Sequence, residues 1–450
     1  MILIGGQRID LIFLVALSLV LIFVFYLLMM ITLSQFRKST WFPRQVTDEG
    51  GTRYEVVFVI PCLNEESVLG ASIERLVSID YPRTSVLVVD DGSDDRTAEV
   101  VRSFDDPRVH LLQRTLPNAR KGKGQALNAA IRHILTGKVI GAPDLDATII
   151  VVVDADGRMD ERSLEYVLPR FDDAELGGVQ IGVRINNRHT NLLARFQDLE
   201  FVLYTEVFQR GRVHLGSSGL GGNGQFVRLS ALTTLGEDPW SDSLTEDLDL
   251  GVRLLIEGLR LDFCPDVAVH QQGLVSLKRW IRQRTRWFQG HLQSWSLLPD
   301  ILTRLSGTRR IDVYYHLTSP FVLLMGSLFT VAFFLWFVDL MVDLYQGTTF
   351  FSWYWLSTYF FTFGPAMLLS LIYRRSERSL GVFRTLLLAH LFVPYSLLWM
   401  IAGWRAVARI LLGKKGWAKT ERLKENADGV ADGTVDPELP ESSPVGEVRT

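Results

Sequence analysis

The chain has 450 residues, 48% of them apolar, with a formal net charge of −3. That length allows more than one structural unit, and the near-neutral charge removes any global case for nucleic-acid binding. The two cysteines, Cys62 and Cys264, form no CxxC pair and no zinc spacing, which leaves packed, reduced thiols. Residues 11–33 are almost continuously apolar, long enough for a membrane-crossing helix and longer than a signal-peptide core. Arg37, Lys38 and Arg44 follow, whereas Asp10 offsets Arg8 before the run, so what comes next is expected in the cytoplasm.

Residues 54–265 read as a water-soluble unit. Strands are expected at 56–60, 85–89, 109–113, 149–153 and 179–184, and helices at 65–76, 94–104, 124–135 and 191–209. Alternation at these short intervals predicts a parallel sheet with helices on both faces. Several strands end in polar residues: Asn64-Glu65-Glu66, Asp90-Asp91-Gly92 and Asp154-Ala155-Asp156-Gly157. Ligands bind at that edge of open α/β sheets. Taken alone, Asp154-Ala155-Asp156 reads equally as a surface turn or as a site for a hard divalent ion.

The glycine-rich stretch 216–224 contains a GxGxxG match (Gly219, Gly221, Gly224). No clear strand precedes it, so a close-approach loop is expected there instead of a dinucleotide fingerprint. A helix is expected over 244–255, capped by Thr245, with Glu246 and Asp247 in its first turn. Residues 275–295 form an amphipathic, tryptophan-rich basic helix suited to the inner membrane surface.

Three further apolar segments follow, near 321–338, 353–373 and 386–402. The first two obey the positive-inside rule as an out-and-back pair, with Asp339 and Asp343 between them and Arg374 and Arg375 after. The third leads into Arg405, Arg409, Lys414 and Lys415, so either it is re-entrant or interfacial around Pro394, or charge bias is overruled. The acidic tail 425–450 has the composition of a disordered segment.

An ordered set of motifs runs through the chain. It comprises Val59-Ile60-Pro61-Cys62-Leu63-Asn64-Glu65-Glu66, Val89-Asp90-Asp91-Gly92-Ser93, Lys121-Gly122-Lys123-Gly124, Asp154-Ala155-Asp156, Thr245-Glu246-Asp247 and Gln283-Arg284-Thr285-Arg286-Trp287. With Trp417-Ala418-Lys419-Thr420 near the end, this set resembles the membrane-embedded inverting glycosyltransferases of family 2. That group contains the cellulose, hyaluronan, chitin and poly-N-acetylglucosamine synthases. The loop Gly221-Gly222-Asn223-Gly224-Gln225 departs from the cellulose synthase pattern.

The resemblance implies an α/β fold of the GT-A, Rossmann-like type, inserted between transmembrane helices of a multi-pass plasma-membrane protein. The units would be a transmembrane helix (1–40), a cytoplasmic GT-A domain (41–275), interface helices (276–315), transmembrane segments (316–412) and a basic-then-acidic tail (413–450). It implies inverting transfer from a nucleoside diphosphate sugar, of the UDP class, with Mg²⁺ or Mn²⁺. Partners would be that donor, a glycan or lipid acceptor and membrane lipids. The product would be a β-linked polysaccharide or, alternatively, a lipid carrying one sugar. A catalytically dead sensor is disfavoured because every chemical position is filled.

Sugar transfer must stabilise a leaving diphosphate and deprotonate an acceptor hydroxyl. By resemblance, Asp156 is the direct metal ligand, with Asp154 towards the ribose and metal. Asp247 is the general base. Asn64, Glu65, Asp90, Asp91, Lys123 and Asp154 form the donor pocket, and Gln283, Arg286 and Trp287 hold diphosphate and acceptor. The competing structural readings are a type I turn for Asp90-Asp91, a solvated loop lysine for Lys123 and a membrane-interface anchor for the Arg-Trp pair.

Overall fold

The computed structural model describes residues 2–4, 7–9, 11–36, 53–348 and 353–414. The expectations for Arg37, Lys38, Arg44, Trp417 to Thr420 and the acidic tail lie outside these residues.

The centre is an eight-stranded sheet. Its strands are β1 (Glu55–Cys62), β2 (Thr84–Asp90), β3 (Val109–Gln113), β4 (Thr148–Val152), β5 (Arg158–Met159), β6 (Leu176–Ile185), β7 (Gln225–Arg228) and β8 (Arg260–Gln271). The spatial order is β3-β2-β1-β4-β7-β6-β8-β5. The first four are parallel, as their β-branched runs predict. The expectation of a wholly parallel sheet is corrected by β7, which runs antiparallel to both β4 and β6, and by β5, antiparallel to β8. The physical reason is the glycine-rich loop 221–224. It follows the helical run 192–215 and lies beside the end of β4, with the Gly224 N–H donating to the Val152 carbonyl at 2.9 Å, so that β7 enters the sheet from the end where β4 leaves it.

Helices α2 (Leu69–Val77) and α3 (Thr97–Arg102) cover one face of the sheet, and α4 (Lys123–Leu135) covers the other. Both α2 and α3 start later than their periodicity predicts, because the preceding residues are spent on loop contacts. Asn64 adopts a left-handed φ of 55°. Its Oδ1 accepts from the Asp94 N–H at 2.8 Å, and its own N–H donates to Ser93 Oγ at 2.9 Å. The Glu65 N–H donates to Thr97 Oγ1 at 2.8 Å. The two loops are thereby latched together. Both cysteines are buried free thiols, and burial pushes Cys264 up to about 11.

The helix expected over 191–209 is α5 (Leu192–Leu203), and it continues as a π-helical turn, Tyr204–Gln209. Helix α6 (Glu246–Ile256) starts after Thr245, whose side chain makes no capping bond, contrary to expectation. It is crowded instead by α7 (Leu277–Gln293): a Cβ added to Gly290 would lie 2.7 Å from Thr245 Oγ1.

The long apolar helices are α1 (Leu11–Ser34), α8 (Gly307–Tyr345), α9 (Trp353–Ser376) and α10 (Val382–Leu411). Helices α1, α9 and α10 dock on α5 and α7 through Met30, Phe196, Leu199, Trp280, Tyr373 and Tyr395, and α8 joins them through Leu324, which packs with Phe288 and Ala406. Among the described residues one helix, α10, is long and apolar enough to cross a membrane by length and composition. Pro394 lies inside it without interrupting it. It runs alongside α7: Trp280 Nε1 donates to Tyr395 Oη at 3.1 Å, and Arg409 Nε donates to Gln289 Oε1 at 3.0 Å. Its basic C-terminal end therefore packs against α7.

Candidate active site

The polar edge of the sheet is where β1, β2 and β4 end. Residue Asp154 follows β4, and its N–H donates to Asn223 Oδ1 at 3.1 Å. The Gly157 N–H closes the turn onto the Asp154 carbonyl at 2.8 Å. Lys123 enters from the first turn of α4, where Gly122 takes a φ of 116° that a side chain would strain. Its Nζ donates to Asp154 Oδ1 at 2.7 Å and to the Gly222 carbonyl at 2.6 Å. Burial disfavours its charge, but Asp154, Glu246 and Asp247 outweigh burial and hold the ammonium above its usual value.

The loop 221–224 is a close-approach loop, as expected. Gln180 pins it from β6, accepting from the Gly221 N–H at 2.7 Å and donating to the Asn223 carbonyl at 2.8 Å. A Cβ on Gly222 would sit 3.2 Å from Lys123 Nζ and 3.4 Å from Asp247 Oδ2. Glycine thus lets Lys123, Asp154 and Asp247 meet across one backbone segment.

The Leu248 N–H donates to Asp247 Oδ1 at 2.9 Å, which leaves Oδ2 towards the loop. Burial raises both Glu246 and Asp247, against the lowering fields of Lys123 and Arg286. A raised carboxylate is a better proton acceptor near neutral pH. Gln283, Arg286 and Trp287 line the same cavity as Asp247.

The other expected residues are distributed less evenly. Asp90 is buried and occupied: its Oδ1 accepts from the Ser93 N–H at 2.9 Å and its Oδ2 from Gln113 Nε2 at 3.2 Å. Asp91 lines the cavity, is ion-paired to Arg114 and accepts the Arg120 N–H at 3.0 Å. Burial pushes its carboxyl up against the field of Arg114. Glu65 lines the cavity, whereas Asn64 acts in the loop latch. Asp156 is 1% exposed, and its Oδ2 accepts the Gln272 N–H at 3.0 Å. It thus lies one layer behind Asp154, which faces the cavity.

Sequence reasoning missed Gln180, Asn223 and Arg284. Arg284 is 0% exposed, donates to Glu200 Oε2 at 3.0 Å and stacks 4.0 Å from the centre of the Trp287 ring. Its place inside Gln283–Trp287 was visible, but the partner Glu200 lies on α5 and carries no motif.

The cavity has a volume of about 2540 Å³. It begins at Asp154, Lys123 and Asp247 and continues between α1, α8 and α10, where Phe23, Leu27, Leu323, Phe329, Phe392 and Leu397 form its wall.

Residues 53–290, more than half of the chain, match the sequence profile of the family described as Glycosyltransferase like family 2. The chain is 28% identical over 388 residues to the probable glycosyltransferase YdaM of Bacillus subtilis, covering 83% of this chain and 88% of that protein. It is 30% identical over 277 residues to the beta-monoglucosyldiacylglycerol synthase of Synechocystis sp., covering 60% of this chain and 55% of that protein, so it spans about half of that relative. The mannosyltransferase PcManGT from Pyrobaculum calidifontis, solved with GDP-Man and Mn²⁺, has the same fold at 17% identity, with a TM-score of 0.55 over 90% of this chain and 97% of that one. The protein belongs to glycosyltransferase-like family 2 and is a nucleotide-sugar-dependent glycosyltransferase built on the GT-A fold.

Proposed function

We propose that the protein is a membrane-bound, inverting glycosyltransferase that moves one sugar from a nucleoside diphosphate sugar to the hydroxyl of a lipid acceptor. The observation that carries this reading is the continuity of the cavity, from the carboxylates at the sheet edge into a wall of Leu, Val and Phe side chains. Acyl chains match such a wall. A growing polysaccharide would lose water from its hydroxyls there and find few partners for them. The motif Gln283–Trp287 favours the polymer reading by association with processive synthases; the wall chemistry outweighs it.

Membrane attachment is supported by exposed apolar side chains on the long helices, among them Leu21, Phe25, Phe334, Leu335 and Phe383. Contiguous apolar exposure of this kind belongs in lipid. A 24-residue helix such as α1 or α9 spans about 36 Å, enough for a hydrocarbon core. In this reading α1, α8 and α9 cross and α10 lies at the interface. That keeps Arg374, Arg375 and Arg409 on the catalytic side and Asp339 and Asp343 on the other, as the positive-inside rule requires.

In the reaction, Asp247 takes the proton of the acceptor hydroxyl as its oxygen attacks the anomeric carbon. The bond from that carbon to the diphosphate breaks, and one displacement inverts the centre without an enzyme nucleophile. Lys123 and Arg286 receive the charge that develops on the leaving diphosphate. The donor set at β4 fits a divalent cation that shares its shell with phosphate oxygens, because Asp154 reaches the cavity with Asp156 packed behind it. Bound there, Mg²⁺ or Mn²⁺ would supply charge neutralisation to the diphosphate. Asp91 and Glu65 lie where the nucleoside would sit.

The test is a donor screen on the full chain in lipid vesicles with Mn²⁺. Release of nucleoside diphosphate from one of the UDP- or GDP-sugars is expected to rise with added lipid acceptor. Release that responds only to an oligosaccharide primer would overturn the reading.

A further inference from the structure

Beyond the sheet edge, the cavity wall carries a polar cluster apart from Glu200 and Arg284. It is organised by the π-helical turn Tyr204–Gln209 that interrupts the run from α5 to the short helix Arg210–Leu215. Such turns shift side-chain register and concentrate at functional sites. Here Tyr204, Phe208 and Arg212 all line the cavity. Arg212 is 2% exposed, and its Nε donates to Asp312 Oδ2 at 2.8 Å. Asp312 Oδ1 accepts the Tyr26 hydroxyl at 2.9 Å, and the Tyr26 ring lies 4.2 Å from that of Tyr315. The cluster therefore joins α1, α8 and the catalytic domain at the mouth of the apolar wall.

One feature calls for a ligand. Arg212 Nη1 is buried with no hydrogen-bond partner among the described residues. A buried guanidinium N–H without a partner is costly, and native structures rarely keep one without a use. Tyr204, whose hydroxyl interacts with the Arg212 guanidinium, lines the same cavity as Asp247.

The charge balance identifies the class of ligand. The Arg212 cation is cancelled by Asp312. His291 and His316 stand beside it with ring centres 5.1 Å apart, and His291 Nε2 bonds the His316 carbonyl at 2.9 Å. Burial takes His291 down to about 4, so it carries no charge at neutral pH. Towards the reaction centre, Asp154, Glu246 and Asp247 face Lys123 and Arg286. Among the described residues, nothing in the cluster offers an uncompensated cation to a lipid phosphate, whereas one spare N–H and a phenol suit neutral oxygens.

We propose that Arg212 and Tyr204 hold the polar head of the acceptor, and that this head is uncharged: the free hydroxyl and ester oxygens of a neutral glycerolipid. The proposal rests on the lipid-acceptor reading above. The head would sit at Arg212, its hydroxyl directed to Asp247 and its chains laid between α1 and α8.

The test uses the full chain in phosphatidylcholine vesicles with dioleoylglycerol or a long-chain isoprenyl phosphate as acceptor. The unmodified protein is expected to glycosylate dioleoylglycerol and not the isoprenyl phosphate. Tyr204→Phe, and Arg212→Gln combined with Asp312→Asn, are expected to raise the dioleoylglycerol KM by about tenfold while the donor KM moves less than about twofold. Tyr204→Phe removes only a hydroxyl, so it still tests the location if the double substitution fails to fold. Transfer to the isoprenyl phosphate alone would overturn the neutral head and leave the lipid reading standing. An unchanged dioleoylglycerol KM, or donor and acceptor KM rising together, would overturn the location. Extension of a glycan primer without any lipid would instead overturn the lipid reading itself.

Discussion

The two ends of the cavity are made differently. At the donor end, each side chain sits at a strand end or in the first turn of a helix, and a short motif carries it: Asp154, Lys123, Asp247. At the apolar end, Tyr204 and Arg212 share one helical run, while Tyr26 and His316 come from long helices far from it in the chain, and helix packing unites the three stretches. On the proposed reading, the contrast teaches that the chemistry is held by backbone geometry, while the choice of acceptor would lie in how the long helices meet the domain. Substitutions should separate accordingly, with donor-end changes acting on turnover and acceptor-end changes acting on the acceptor KM.

The largest effect is expected at Asp247. Asp247→Asn should lower turnover by roughly 10²–10⁴-fold, the usual contribution of a positioned base, with nucleotide affinity measured by calorimetry nearly unchanged. Retention of near-normal turnover would remove Asp247 from that role. Arg286→Gln comes next. Losing one charge-assisted contact to phosphate should lower kcat/KM for the donor by about 10–100-fold, read from steady-state kinetics.

A smaller effect is expected in the apolar wall. Gly326 lines the cavity, and a Cβ there would meet nothing within 4 Å. Gly326→Leu should therefore fold normally and fill the path of the acyl chains. Its cost, about tenfold in the KM of a long-chain acceptor and less for a short-chain one, would sharpen the division between the two ends. The smallest expected effect is a displacement in pH. Burial raises Asp247, and the base works deprotonated, so activity falls as pH drops through that raised value. The acid limb of kcat/KM should lie above pH about 4, where an ordinary aspartate titrates. A limb at or below it would break the burial argument.

The polar edge of the sheet was largely legible in the sequence. Apolar runs ending in Asp or Asn located β1, β2 and β4, and their carboxyl ends located the edge on which the cavity opens. What the runs could not convey was which carboxylate faces inward. Asp90 and Asp91 look alike in sequence, yet Asp90 is consumed by Ser93 and Gln113 while Asp91 faces the cavity. The short strand β7 was hidden because four residues beside a glycine-rich loop carry no periodicity of their own. The π-turn at Tyr204 was hidden because its side-chain pattern continues that of α5. The place of α10 was readable only as a conflict. Its apolar length argues for crossing and its basic end against, and its packing against α7 is what the proposed interfacial placement rests on.

The most direct test of the central claim is the mass of the product. The full chain in vesicles containing dioleoylglycerol, given its labelled donor, should transfer label to the organic phase as acceptor plus a single sugar. A water-soluble ladder of many sugars would contradict the claim that the cavity receives a lipid.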